Sequence, residues 1–87
     1  MDFEIIELLK NESKVNGLRQ VLRGIRKGKI DKVLLATDAD YELVKEIDTI
    51  CHSNNIPLLT CPSKDELGRE VNIKRACSVV GFLTTES

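Results

Sequence analysis

The most constraining feature of this sequence is a segment at residues 17–28 in which apolar and basic positions recur with a helical period. Four apolar residues follow the spacing i, i+3, i+4 and i+7 and form one stripe that must be buried: Leu18, Val21, Leu22 and Ile25. Four cations fall together on roughly the opposite face: Arg19, Arg23, Arg26 and Lys27. The pattern predicts a helix that packs through one face, exposes a basic face and stops at Gly28.

This basic face lacks local counter-charge, because residues 13–32 contain seven basic residues and one acid, Asp31. Acids three or four residues from a cation stabilise an exposed helix by roughly 0.2–0.5 kcal/mol per pair. The absence of such acids favours binding of an external polyanion by this helix. The alternative is a basic helix that is only solvated. Gly17 favours the polyanion, because a glycine at the positive helix end lets a phosphate or base edge approach.

The charge of the whole chain is separated along the sequence. The net charge is only −1, yet residues 1–12 and 38–48 are acidic while residues 13–32 are strongly basic. Such separation predicts a localised site for a polyanion. With 87 residues, 41% of them hydrophobic and 31% charged, we expect one folded soluble domain over residues 1–87.

The cysteines and the absence of long apolar runs predict where the protein works. Three cysteines without C-x-x-C spacing form neither a disulfide framework nor a zinc site, so we expect buried thiols and a reducing, cytoplasmic environment: Cys51, Cys61 and Cys77. No signal peptide or membrane-spanning run is evident, and we expect neither secretion nor membrane insertion.

Helical and strand patterns alternate along the chain. They predict helices over residues 2–10, 17–27, from Asp38 or Asp40 as cap to about Asn54, and from the capping residue Ser63 to about Val71. They predict strands at residues 32–37, 57–61 and 77–83, a very short one near Val15, a turn at residues 29–31 and a left-handed stop at Asn72. The expected fold class is α/β, a sandwich with a small mixed sheet between helices on both faces.

Catalytic motifs are scarce. Asp38-x-Asp40 after a strand is the pattern of metal-dependent phosphoryl-transfer enzymes of the haloacid-dehalogenase type, but the chain is too short for their other motifs, and an Asp that caps a helix is common. His52 is the one histidine, and no nucleophile elbow, dinucleotide fingerprint or P-loop occurs. We therefore expect a non-enzymatic protein with no catalytic residue, metal site or cofactor.

Nucleic acid is the polyanion that remains. Aromatic residues make up 3% of the chain and tryptophan is absent, which argues against a stacking platform for single strands. Structured RNA, contacted by a helix end, basic side chains and a loop, is the favoured partner. A protein-interaction module is the alternative, in which an acidic face docks a basic protein through Asp40, Glu42, Glu46 and Asp48.

Four motifs in order resemble the ribosomal protein L7Ae family, and most closely its small bacterial-type members. The resemblance runs from about Val15 to Leu83 and is carried by residues 17–23 (GLRQVLR), 33–38 (VLLATD), 50–57 (ICHSNNIP) and 63–68 (SKDELG). It implies a three-layer α-β-α sandwich with a four-stranded mixed sheet. It also implies binding to kink-turns, RNA elements bent sharply at tandem sheared G·A pairs, in a ribosomal or ribosome-associated role. Ribosomal RNA, a riboswitch and an RNase-P-like RNA stay open as the natural partner.

The resemblance also implies a set of RNA-binding residues. Gly17 would permit close approach, Arg19 and Gln20 would bond guanine edges, and Arg23 would contact a guanine or phosphate. Lys64 would neutralise a phosphate, and a loop at residues 73–76 would pack on the flipped-out loop nucleotide. The full set is Gly17, Arg19, Gln20, Arg23, Lys27, Lys64, Ile73, Lys74, Arg75 and Ala76.

The sequence departs from the family pattern in the loop and at two further residues. The loop carries two adjacent cations, Lys74 and Arg75, and lacks the proline often found there. Asn72 stands where glycine is common, and Arg19 stands where archaeal-type members have asparagine, which shifts the expected contact of Arg19 towards phosphate. Because the apolar patterns imply burial on both sides of the sheet, we expect a monomer.

Overall fold

The computed structural model describes residues 2–84, which form four helices and four strands. The helices are α1 (Phe3–Asn11), α2 (Leu18–Arg26), α3 (Tyr41–Ser53) and α4 (Lys64–Glu70). The strands are β1 (Lys14–Asn16), β2 (Ile30–Ala36), β3 (Leu58–Cys61) and β4 (Val79–Leu83). Each predicted element is present, and the short strand near Val15 is one of them.

The strands form a mixed sheet in the order β1-β4-β2-β3. β4 is antiparallel to both of its neighbours, and β2 and β3 are parallel. One face of the sheet packs against α1 and α4 through residues such as Leu9, Leu67 and Phe82, and the other packs against α2 and α3 through Val21 and Ile47. These layers confirm the predicted α-β-α sandwich with a four-stranded mixed sheet.

Three helices end in the same type of turn. In α2, α3 and α4 the residue after the C-cap has a positive φ: Gly28 (69°), Asn55 (56°) and Asn72 (65°). At the end of α4, the Asn72 N–H donates to the Arg69 carbonyl (3.1 Å) and the Ile73 N–H to that of Gly68 (3.0 Å). This is the Schellman pattern, which satisfies the last carbonyls of a helix. It confirms the predicted stops at Gly28 and Asn72.

The predicted turn at residues 29–31 is wrong for its last two positions, because β2 begins at Ile30. The Schellman turn of α2 is complete at Lys29, whose N–H donates to the Gly24 carbonyl (2.9 Å). Ile30 is then free to enter the sheet, where it is buried and lies against Gly24 and Gly81. The β2–β4 register is irregular at residues 30–32. This part of the strand therefore does not continue the apolar run that predicts β2.

Two other expectations need correction. Asp40 occupies the N-cap position of α3 but makes no side-chain capping bond, and Asp38 Oδ1 instead accepts from the Lys64 N–H, at 2.8 Å. The last strand begins at Val79 rather than Cys77. The Cys77 N–H donates to the Lys64 carbonyl (2.9 Å) and not to a neighbouring strand. Both bonds join segments distant in sequence, which local patterns do not reveal.

The three cysteines are free and buried, as predicted. Burial raises the pKa of the Cys51, Cys61 and Cys77 thiols, so all three stay protonated near neutral pH. They act as small apolar side chains in the two cores. Among residues 2–84, no helix has the length and apolar character needed to cross a membrane.

Candidate functional site

The start of α2 is an open, positively polarised helix end. Gly17 is its N-cap, with φ 92° and ψ 155°, and no side chain caps the helix. The Gly17 N–H donates to the Val79 carbonyl (2.9 Å) and the Gly17 carbonyl accepts from the Val21 N–H (3.0 Å), so the turn is fixed to the start of β4. The N–H groups of Leu18 to Gln20 precede the first intrahelical bond and point outward. The first turn contains no acid.

The two faces of α2 are those the sequence predicts. Val21 and Ile25 are buried, and Leu18 and Leu22 pack against the same core. The polar side chains are exposed along the whole helix and just beyond it: Arg19, Gln20, Arg23, Arg26, Lys27 and Lys29. Within residues 2–84 both ion pairs involve Lys32, so none of these cations is neutralised by a neighbouring carboxylate.

The loop at residues 73–76 is held firmly on α4. Its first residue, Ile73, is bonded to the Gly68 carbonyl, and Cys77, just after it, is bonded to the Lys64 carbonyl. Gly68 is buried directly under the loop, and a Cβ there would collide with the Arg75 carbonyl oxygen. Lys74, Arg75 and Ala76 are exposed, while Ile73 is half-buried against the α4 core. The loop therefore presents two cations on a fixed backbone.

One concavity joins the start of α2 to this loop. It has a volume of about 340 Å³, and its lining includes Gly17, Leu18, Ile73, Arg75 and Ala76. A second concavity, of about 250 Å³, lies between the loop and α4 and includes Arg69 and Lys74 in its lining. The structure thus brings together two predicted segments that are more than fifty residues apart in sequence.

The other predicted site residues lie at different distances from this concavity. Arg19, Gln20 and Arg23 belong to the first turns of α2 beside it. Lys64 is partly exposed at the start of α4, and its backbone carbonyl anchors the end of the loop. Lys27 is the C-cap of α2, about 15 Å along the helix axis from Gly17 at 1.5 Å per residue.

Sequence reasoning did not single out three residues that shape the site. Asn16 and Leu43 line the shared concavity, and Asn16 Oδ1 is buried without a hydrogen-bond partner within the described chain. Gly68 lacks a side chain, which allows the loop to pack directly on α4. Gly68 lies in the SKDELG motif, but its contact with Arg75 depends on the fold. Nothing in the sequence around Asn16 or Leu43 indicates that these residues line the site.

The fold and site define a three-layer α-β-α protein with a cationic helix beside a cationic loop. The sequence profile of the ribosomal protein L7Ae/L30e/S12e/Gadd45 family matches residues 4–87. The chain belongs to this family, which confirms the resemblance read from the motifs.

Individual relatives agree with this assignment. The H/ACA ribonucleoprotein complex subunit nhp2 of Schizosaccharomyces pombe is 35% identical over 72 residues, which cover 82% of this chain and 47% of that protein. The chain thus spans about half the length of that relative. RNA-binding protein GK0100 of Geobacillus kaustophilus is 28% identical over 69 residues, covering 79% of this chain and 84% of that protein.

Solved structures share the fold. The Giardia lamblia 15.5kD RNA binding protein has a TM-score of 0.86 at 26% identity, over 95% of this chain and 73% of that chain. A Bacillus halodurans protein of unknown function has a TM-score of 0.84 at 23% identity, over 97% and 88% of the two chains, and shows the fold alone. The relatives named here are RNA-binding proteins and a ribonucleoprotein subunit, in agreement with the expectation of a non-enzymatic protein.

Proposed function

We propose that this chain is a single RNA-binding domain that recognises and stabilises kink-turn RNA, in a ribosomal or other ribonucleoprotein setting in the cytoplasm. The observation that carries the proposal is the shared concavity, where the uncapped start of α2 meets the cationic loop at residues 73–76. Related proteins named as RNA-binding support the same class of partner.

The chemistry of the start of α2 suits guanine edges and phosphates. Arg19 and Arg23 each carry a planar fork of donors that fits guanine O6 and N7 or a phosphate, and Gln20 offers a donor and an acceptor. Gly17 has open space in front of its Cα, because a Cβ built there would meet no atom within 4 Å. RNA backbone can therefore approach the outward N–H groups of the first turn.

The loop supplies the second half of the proposed interface. Arg75 and Ala76 line the same concavity as Gly17, and Ile73 gives this concavity an apolar wall. An unstacked base can pack on that wall while the cations next to it neutralise phosphates. Because both halves are fixed by backbone bonds, the protein binds the bent RNA better than the extended RNA and shifts the RNA population towards the bent form.

The test is a titration of a kink-turn RNA and of the same RNA with its G·A pairs changed to Watson–Crick pairs, at two salt concentrations. We expect tight binding to the first RNA and weak binding to the second. Four to six phosphate contacts predict a log–log salt slope of about −3 to −5. Equal and steeply salt-dependent binding to both RNAs would reduce the site to a generic basic patch. If the protein binds neither RNA, the alternative is favoured, in which the acidic face of α3 docks a protein partner.

A further inference from the structure

The strand β3 leaves one edge of the sheet open. It is a terminal strand in the order β1-β4-β2-β3, and its neighbour is β2. The Cys61 carbonyl faces β2, because it accepts from the Thr37 N–H (2.8 Å). Successive residues of a strand direct their backbone groups to opposite sides, so the N–H and C=O groups of Leu58 and Thr60 point away from β2. These groups can pair with a further strand.

This edge lacks the features that usually prevent pairing. Edge strands are commonly protected by charged side chains, proline within the strand or a bulge. The sequence of β3 is LLTC, without charge or proline, and its register with β2 is regular over all four residues. The other terminal strand, β1, is three residues long and includes Lys14. The β3 edge is therefore the more suitable of the two for an additional strand.

An apolar groove lies beside this edge, between β3 and α3. It has a volume of about 350 Å³, and its lining includes Tyr41, Val44, Leu58 and Thr60. Tyr41 is 76% exposed, so its ring forms a wall of the groove that the rest of the chain leaves uncovered. Leu58 packs on the core beneath α3, which places the groove on that face of the sheet. A strand paired with β3 would direct every second side chain into the groove.

The surface around the groove is acidic. Residues 38–48 contain one base, Lys45, and five exposed acids: Asp38, Asp40, Glu42, Glu46 and Asp48. Within residues 2–84 no ion pair involves these acids, because both ion pairs are made by Lys32. Asp48 is itself part of the groove lining. The local potential therefore favours a cationic ligand.

This charge distinguishes between the possible occupants of the groove. A second copy of the chain paired through β3 would bring two acidic α3 helices together, and like charges across an interface are unfavourable. RNA phosphates are repelled for the same reason. An extended peptide with basic side chains fits the backbone groups of the edge, the apolar groove and the acidic surroundings. In this mode of recognition, main-chain bonds supply affinity and pockets for alternate side chains supply specificity.

We propose that β3 and α3 form a docking surface for an extended, basic peptide segment of a partner protein, which adds a fifth strand to the sheet. The surface is separate from the proposed RNA site, because β3 and β1, the strand that leads into Gly17, lie at opposite ends of the sheet. Three strand spacings, roughly 14 Å, separate these two strands. The inference does not depend on the kink-turn function.

The test uses a set of end-blocked heptapeptides, Lys-Thr-x-Thr-x-Thr-Lys, in which each x is Val, Ile, Leu, Phe or Tyr. In an extended chain both x residues and both lysines share one face, so the x side chains enter the groove and the lysines reach the acids around it. Peptides with Glu in place of both lysines are the charge control. Fluorescence anisotropy measures binding, and amide chemical shifts of the protein locate the site.

We expect saturable binding of lysine peptides, and binding of the matched glutamate peptides that is weaker by several-fold at low salt and less so at high salt. Amide shifts should change in β3 and α3 and not in β1. The double variant Asp40→Asn/Asp48→Asn should bind the lysine peptides several-fold more weakly. Glu4→Gln/Glu70→Gln, which removes the same charge from exposed positions elsewhere, should bind them as the unmodified protein does.

Strand pairing also predicts an alternation in the peptide. Only every second peptide residue directs its backbone groups to β3, so N-methylation of one alternate set should weaken binding about fivefold or more, and N-methylation of the other set should have little effect. On the protein, Thr60→Pro removes the outward N–H, and the matched variant Thr60→Val keeps it. Thr60→Pro should bind several-fold more weakly than Thr60→Val. The N-methylated peptides test the same bonds on the unmodified protein.

The inference is overturned if no lysine peptide binds, if the glutamate peptides bind equally well, or if both N-methylated sets behave alike. Equal affinities of Thr60→Pro and Thr60→Val also contradict it. If the protein alone forms a dimer in sedimentation, with concentration-dependent amide shifts in β3, the occupant is a second copy and the peptide assignment fails. Each of these results leaves the kink-turn function, which is measured with RNA, unaffected.

Discussion

At the scale of single residues, Gly17 combines a backbone requirement with an exposed position. Its φ of 92° and ψ of 155° lie in a region that is essentially restricted to glycine, yet a Cβ there would meet no neighbouring atom. The glycine is therefore required for backbone conformation and leaves room in front of the helix end. Gly28 shares the positive φ and the open surroundings, but lies at the other end of α2.

Substitution of these two glycines distinguishes effects on stability from effects on RNA binding. Gly17→Ala should lower the free energy of unfolding by about 1–3 kcal/mol through backbone strain, and should also weaken kink-turn binding because the methyl group occupies the approach path. Gly28→Ala should cost about 1–2 kcal/mol in stability and leave the affinity for the kink-turn RNA unchanged. Urea denaturation and RNA titration of both variants measure the two effects. Equal loss of affinity in both would contradict the role given to Gly17.

Arg23 is the residue whose contact with RNA is easiest to isolate. It is exposed, one turn from Arg19, and free of ion pairs within the described residues. Arg23→Ala should weaken kink-turn binding by roughly 1–3 kcal/mol, as expected for a lost base or charged contact. Lys45→Ala, which removes an exposed cation from α3, should leave the affinity nearly unchanged. If Arg23→Ala and the unmodified protein bind the kink-turn RNA with equal affinity, Arg23 is not part of the interface.

At the scale of elements, α4 supports the loop that completes the site. Gly68 is buried in α4, with the backbone of Arg75 and Ala76 in the place where a Cβ would lie. Helix and loop can approach this closely only if residue 68 has no side chain. The position of the loop relative to Gly17 therefore depends on a contact outside the proposed RNA surface.

Substitution of Gly68 should move the loop. Gly68→Ala should displace residues 73–76, lower stability by roughly 1–3 kcal/mol and weaken kink-turn binding. Amide chemical shifts should change in this loop and much less around α3. Glu70→Ala, at an exposed position of the same helix, is the matched control and should change neither property. Full affinity together with a displaced loop would show that the loop is not part of the interface.

Another link between elements joins the end of α1 to the sheet. The Lys32 ammonium lies 3.0 Å from Glu12 Oε1, 3.2 Å from Asp31 Oδ1 and 5.6 Å from the centroid of the Phe82 ring. The contact with the Glu12 carboxylate raises the pKa of Lys32 above its ordinary value of 10.5, although burial opposes the shift. The charged ammonium is thus favoured in the folded protein.

This shift predicts a pH dependence. A raised pKa in the folded state gives stability that is fully present below the unfolded value of 10.5 and is lost as the pH rises through the folded value. The Lys32→Met variant keeps an apolar chain over Phe82 but lacks the charge. Its deficit in urea stability should be largest near neutral pH and should narrow above 10.5. A deficit that does not change with pH would assign the effect to packing.

The sequence was sufficient for features with a local period and insufficient for features that depend on distant contacts. The two faces of α2 follow from spacing, and the buried strand β2, apart from its start at Ile30, follows from a continuous apolar run. The left-handed stop at Asn72 follows from its residue type. The bond from the Lys64 N–H to Asp38 and the contact of Gly68 with Arg75 do not, because each joins segments that meet only in the folded chain.

At the scale of the whole molecule, α2 and α3 present opposite charge on the same side of the sheet. Both pack on the same core, yet α2 exposes cations and α3 exposes acids such as Glu42, Glu46 and Asp48. We expect the acidic face to repel phosphate, so that RNA approaches α2 and the loop at residues 73–76 and not α3. The net charge of −1 does not reveal this polarity.

A rigid, one-sided surface should act on the RNA by selecting its bent conformer. A ligand shifts a conformational equilibrium only by its difference in affinity for the two states. We would therefore label the two stem ends of a kink-turn RNA with a donor and an acceptor fluorophore and titrate the protein under conditions in which the free RNA is extended. Energy transfer should rise in parallel with binding, and the RNA with Watson–Crick pairs should show no rise. Saturable binding to the kink-turn RNA without any increase in energy transfer would contradict stabilisation of the bent form.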